Sequence, residues 1–206
     1  MSIWFPQLPL DRRARLGDAR LDGPYATIRE IKNARSLIGV SEGARRSGLT
    51  PQMSVTDARA NCPDLMTEPC NAGREERLLR AIWRWADKLS PSIALDEPDG
   101  LFLDIDGCTH LFGGEQAMAE IALSDLRQMK MTPRIAIGDT KRGAWALSHF
   151  GKAQISISAR GDSRAALQVL PIASRKSDPN FETDLRQAGL KSIGALYDFK
   201  TAELAR

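Results

Sequence analysis

Asp99-Gly100-Leu101-Phe102-Leu103-Asp104-Ile105-Asp106-Gly107-Cys108-Thr109-His110-Leu111-Phe112-Gly113 is the stretch on which the reading of this chain turns. Its first half alternates with a period of two, so Leu101, Leu103 and Ile105 fall on one side of a strand and Phe102, Asp104 and Asp106 on the other. That is the pattern of a strand with one face in a core and one facing water. Ser92 to Leu95 supplies a second short strand just before it, so the pair reads as a hairpin whose connection carries Asp96, Glu97, Pro98 and Asp99. Taken alone, Asp99 and Gly100 are ordinary turn residues.

Two-metal phosphoryl transfer needs carboxylates from separate chain segments converging on cations about 3.5–4 Å apart. The N-terminal strand Ser2-Ile3-Trp4-Phe5, continuing as Pro6-Gln7-Leu8-Pro9-Leu10, holds no acid before Asp11. An indole cannot ligate a hard cation that takes oxygen.

The hairpin resembles the palm motif of Y-family (translesion) DNA polymerases, Ser-Ile-Asp-Glu-Ala-(Phe/Tyr)-Leu-Asp, followed after a spacer by Leu-Phe-Gly. Laid on without gaps, Asp99 keeps the first acid, Gly100 replaces the second and Asp104 keeps the structural aspartate. A second register, through Ser92-Ile93 and Asp96-Glu97, needs two insertions; the ungapped one is preferred because a slip would exchange the faces of the strand. The same resemblance sets Trp4 at the metal-binding Asp of the N-terminal strand and Pro9 near the aromatic residue that excludes ribonucleotides.

Val40 to Met53, with Ala58 and Cys62-Pro63-Asp64-Leu65, resembles the fingers of that family. Arg45 matches its triphosphate-contacting arginine, and Glu42 stands in place of the neighbouring tyrosine, where an anion repels phosphate. Arg134-Ile135-Ala136-Ile137-Gly138 with Thr140-Lys141 resembles a palm strand whose gripping lysine falls on or near Gly143, leaving Lys141 as the close substitute. Trp4-Phe5-Pro6, Pro98-Asp99-Gly100-Leu101 and Gly107 to Glu115 are similar to the ImuB-like branch, Y-family relatives without the catalytic acids. The resemblance implies a noncatalytic subunit of a bacterial mutagenesis complex induced by DNA damage in the SOS response. Its partners would be DNA, a sliding clamp, a RecA-like accessory protein and an error-prone replicative-type polymerase, the protein contacts falling in regions beyond this chain. It implies no cofactor and no bound metal. The competing reading is an active translesion polymerase with atypical ligands drawn from Asp96, Glu97 and Asp99.

Composition is compatible with this and excludes other classes. The 206 residues are 42% hydrophobic and 27% charged, enough for a sizeable core. No apolar run approaches the roughly 20 residues of a membrane span and no signal pattern opens the chain, so a cytoplasmic protein without membrane association is expected. Cys62, Cys70 and Cys108 lack metal-ligand spacing and read as reduced thiols. The net charge of +3 hides an uneven distribution: nine basic residues face four acids from Arg12 to Arg46, whereas seven acids face no Lys or Arg from Asp96 to Glu120. The basic stretch, including Arg45 and Arg46, is a candidate DNA-phosphate surface, equally readable as a solvated one.

Apolar spacing predicts helices over 74–89, 115–129 and 142–150. In the first, Leu78, Leu79, Ile82, Trp83, Ala86 and Leu89 are expected to face the core; in the second, Met118, Ile121, Ala122, Leu126 and Met129. Strands are predicted over 2–5, 92–95, 101–105 and 134–137. The order implies an α+β, Y-family-like right hand. A ferredoxin-like palm would take 1–10 and 74–160, inserted fingers 11–73, and a helical thumb 161–206. Leu185 to Leu196 reads as a helix-hairpin-helix in that thumb, with Gly189, Leu190, Lys191, Ile193 and Gly194 as candidate DNA contacts, its backbone amides facing phosphate. A purely structural turn has the same spacing.

Overall fold

The computed structural model describes residues 1–31, 33–171, 187 and 190–197. Strand β1 (Ser2–Trp4) leads through helix α1 (Leu8–Arg15) into a unit made of β2 (Tyr25–Ile31), β3 (Ala34–Val40), α2 (Glu42–Arg46), α3 (Val55–Asn61) and β4 (Met66–Pro69). The chain returns through α4 (Ala72–Ala86) to β5 (Ser92–Asp96), β6 (Gly100–Asp104), α5 (Glu115–Gln128), β7 (Arg134–Ile137), α6 (Lys141–Phe150) and β8 (Ile155–Ile157). Helices α7 (Ser163–Gln168) and α8 (Ile193–Tyr197) follow.

The strands form a five-stranded sheet of order β5-β6-β1-β7-β8 and a three-stranded sheet of order β3-β2-β4. β1 runs antiparallel to both neighbours, pairing Ile3 with Leu101 and with Ile135. These residues share one face, where Phe5, Leu79, Ile82, Leu103, Met118 and Leu126 close the main core beneath α4 and α5. The alternation read in the hairpin holds: Leu101, Leu103 and Ile105 are buried, while Asp104 and Asp106 are exposed. Ser2, buried on the opposite face, meets Ser148 of α6 through their hydroxyls at 3.0 Å, so α6 covers part of that face. The three-stranded unit has its own core, with Ala26, Leu37, Val40, Leu49 and Leu65.

Two parts of the expected packing need correction. Trp83 is 36% exposed, whereas Trp85 packs against the core with the Lys88 ammonium 5.1 Å from its ring centroid. The two indoles lie on opposite shoulders of the apolar stripe of α4; Lys88, over the Trp85 ring, reaches Asp125 of α5, and Trp83 overhangs the edge strand β5. On α5, Ile121 is exposed and Ala119 takes an inward place, so the buried stripe is Met118, Ala119, Ala122 and Leu126. Strands β2, β3, β4 and β8 are further elements that hydrophobic spacing did not reveal. The cysteines are free thiols, Cys62 in the core of the three-stranded unit. Among the described residues no helix is long and apolar enough to cross a membrane.

The unit after β1 is tied back to the larger sheet by a buried acid. Asp11 accepts hydrogen bonds from the backbone N–H of Thr132 at 2.9 Å and from its hydroxyl, also at 2.9 Å. Burial raises the Asp11 carboxyl from its ordinary 3.8 to about 6, even though both Thr132 bonds oppose the rise. Gln7 adds a second tie, its side-chain oxygen accepting from the Val40 N–H at 3.2 Å.

Candidate functional site

Trp4 sits at the centre of the five-stranded sheet, opposite Gly100 on one side and Arg134 on the other. The next residue, Phe5, donates its N–H to the Asp99 carbonyl at 2.8 Å. Trp4 is thus brought beside Asp99 and Gly100, far from it in sequence. Alternation puts the Trp4 indole on the face away from the main core, where it stacks on His149 with ring centroids 4.1 Å apart and an interplanar angle of 18°. His149 in turn stacks on Trp145, one helical turn earlier on α6, again at 4.1 Å. The Arg134 guanidinium lies 6.0 Å from the Trp4 ring and is held by the carbonyls of Gly151 and Ala153.

Gly100 is buried, and the space around it has closed. A Cβ there would approach the Asp96 Cβ and carbonyl oxygen at 3.2 Å and the Ile3 carbonyl at 3.3 Å, so even alanine requires a shift of neighbouring backbone. The second register is not the one built. Ser92–Asp96 forms the edge strand, paired with β6 and not beside β1, and Asp96 lies opposite Gly100. Among the described residues no three His, Cys, Asp or Glu side chains are grouped to hold a metal ion. The donor set at the Trp4–Gly100 crossing does not fit a pair of divalent cations, because neither an indole nor a glycine offers a side-chain oxygen.

Beside the ring stack a cleft of about 650 Å3 opens between β6 and the start of α6. Phe102 lines it, and the Lys141 ammonium lies 4.4 Å from that ring's centroid, a cation–π contact at the first residue of α6. Thr140 caps the helix by accepting from the Gly143 N–H at 3.0 Å, which leaves Gly143 buried in the first turn and Lys141 turned to the cleft. Asp104, Asp106, Glu115 and Asp139 line its rim, with Arg160 paired to Asp106 at 3.1 Å. Asp139 accepts from the Ser163 hydroxyl at 2.7 Å and the Gly161 N–H at 3.0 Å, bonds that hold its carboxyl below the ordinary range and anchor the start of α7.

Arg45 and Arg46 stand on α2, a single turn capped by the Ser41 hydroxyl, which accepts from the Ala44 N–H. Both side chains are exposed. Arg45 bends back to donate its Nε–H to the Val40 carbonyl at 3.1 Å, and Arg46 reaches Glu42 at 3.9 Å, a solvated pair of small worth.

Of the helix-hairpin-helix candidates, Gly189 lies outside the described residues. Leu190 and Ile193 are buried, and the Ile193 N–H bonds the Leu170 carbonyl at 2.9 Å. A Cβ on Gly194 would come within 2.9 Å of the Gln168 carbonyl oxygen, so that glycine has a packing reason in the approach of α8 to α7. Lys191 is exposed.

The profile of the impB/mucB/samB family matches residues 12–149. The chain belongs to this family. This impB/mucB/samB chain is 38% identical over 159 residues to Protein ImuB of Caulobacter vibrioides, covering 77% of the chain and 34% of that protein. It is 25% identical over 211 residues to DNA polymerase IV 2 of Mesorhizobium japonicum, covering 96% of the chain and 51% of that protein. It therefore spans about a third to a half of the length of these relatives. An insertion ternary complex of Dbh DNA polymerase superposes with a TM-score of 0.77 at 15% identity, over 98% of the chain and 61% of the polymerase. At that identity the likeness is one of fold, and the palm-like sheet with its helices is the Y-family architecture.

Proposed function

We propose that this chain is a noncatalytic, Y-family polymerase-like subunit that binds DNA through phosphate and scaffolds partners in damage-induced translesion synthesis. The observation that carries this reading is the pairing of Trp4 with Gly100. A ring stack stands where the family pattern has one metal carboxylate, and a closed strand crossing where it has another. The likeness to a protein named ImuB supports the same reading.

In this proposal residues 1–10 and 74–160 are the palm, 11–73 the fingers and 161–206 the thumb. Arg45, Arg46 and Lys191 supply point charges to phosphate. Backbone amides at Gly189 and Gly194 are assigned to the same phosphate contact, and the buried Leu190 and Ile193 support the segment that carries Lys191. The sliding clamp, the RecA-like protein and the error-prone polymerase bind regions outside this chain, and the protein works in the cytoplasm.

The test is primer extension with Mg2+ or Mn2+ on a primed template, beside DNA binding by anisotropy. No incorporation together with salt-sensitive binding is expected. Incorporation that disappears on Asp99→Ala would establish an active polymerase with atypical ligands instead.

A further inference from the structure

On the far side of α4 from α5, Arg80, Trp83, Arg84, Ile93 and Leu95 line a groove of about 350 Å3 between the helix and strand β5. Among the described residues β5 is the edge of the five-stranded sheet, paired with β6 as its one neighbouring strand. The Trp83 indole N–H reaches past the helix to the Ile93 carbonyl at 3.2 Å, so that carbonyl points away from β6. Along an antiparallel edge strand the backbone groups turn alternately inward and outward, so Leu95, two residues on, presents its N–H and C=O on the same outer edge. The Ile93 and Leu95 side chains form the groove floor, half-buried against the main core, and the exposed indole forms one wall.

We propose that this groove docks an extended acidic peptide of a partner protein, which adds to β5 as a further strand and lays an apolar side chain against Trp83. Strand addition to an exposed edge takes affinity from main-chain hydrogen bonds and specificity from pockets for alternate side chains; Leu95 offers the first, the Ile93 carbonyl being bonded by Trp83, and the apolar floor beside the indole offers the second. The charge selects the sign. Both ionisable residues in the lining are arginines; Arg80 shares its charge with Glu76 at 2.9 Å, whereas Arg84 has no carboxylate partner among the described residues. A second copy of this chain fits poorly, because a two-fold β5–β5 pairing sets each groove against itself, arginine facing arginine. A nucleic acid fits poorly as well, since the floor, Ile93 and Leu95, is apolar and offers nothing to a sugar-phosphate chain.

The experiment is selection of a random-peptide phage library on the immobilised 206-residue chain. Enriched peptides would then be synthesised, measured by fluorescence anisotropy, and followed by hydrogen exchange of the protein's amides. Enrichment of peptides that combine Asp or Glu with an aromatic or branched apolar residue is expected, with slowed exchange at Leu95. Arg84→Glu, at an exposed position, should weaken binding by about tenfold with unchanged melting, and Trp83→Ala should weaken it further. The idea is overturned by enrichment without acidic residues, by affinity that Arg84→Glu leaves unchanged, or by peptides that bind without protecting β5. Displacement by a single-stranded oligonucleotide, or a β5-dependent dimer in sedimentation, would replace the peptide with nucleic acid or with a second copy.

Discussion

Trp4 faces Gly100 across the antiparallel pairing of β1 with β6, and the indole leaves that sheet to stack on His149. Restoring the two acids of the family pattern is therefore not a matter of two side chains. In Trp4→Asp/Gly100→Glu the glutamate must push against the Asp96 backbone and the Ile3 carbonyl, and the ring stack loses its outer member. The double variant is expected to remain without primer extension and to lose about 3 kcal/mol of stability. Urea denaturation and a primer-extension gel check the two halves, and recovered extension would show that the closed crossing is not what blocks the chemistry.

Asp11 makes stability depend on pH in an unusual direction. Its folded pKa of about 6 exceeds the ordinary 3.8, so between those values the folded chain holds more proton than the unfolded one. This group's contribution is full below about pH 4 and is lost as pH rises through about 6, a change of roughly 3 kcal/mol. Asp11→Asn keeps an acceptor for the Thr132 N–H and removes the titration. The stability difference, variant minus parent, should rise from pH 4 to pH 6 and then level off; a flat difference would mean that Asp11 is not buried as described.

Lys191 and Gly194 should separate charge from packing around α8. Lys191→Ala is expected to lower the slope of log affinity against log salt by about one, with unchanged melting. Gly194→Val places a side chain against the Gln168 carbonyl and should loosen α8 from α7, costing about 1–3 kcal/mol, before it has any effect on DNA. A slope that Lys191→Ala does not alter puts the DNA surface elsewhere.

Clamp binding tests the partner assignment. The chain spans 34% of the ImuB relative, and the resemblance sets the clamp contact outside the shared part. Surface plasmon resonance of the 206-residue chain against a bacterial sliding clamp is expected to give no more than weak binding. Tight, saturable binding would locate a contact in this core.

The alternation of Leu101, Leu103 and Ile105 against Phe102, Asp104 and Asp106 was enough to orient the hairpin, and the spacing of Leu79, Ile82 and Ala86 was enough to orient α4. The wider motif likeness, from Trp4 to Gly113, led to the family. Such features are local: a strand or helix carries its own period, and a motif carries its own spacing. Long-range relationships were decided only by the tertiary structure. The aromatic stack joins a strand at the N-terminus to Trp145 and His149 on α6, and Asp11 meets Thr132 across 121 residues of chain. Neither Trp83 nor Trp85 has a residue-level signal that says which shoulder of α4 is covered; α5 covers one, and the sheet ends beneath the other. Periodicity reports the face an element turns inward. What meets that face, and what is left open beside it, depends on which distant segments the sheet order brings together.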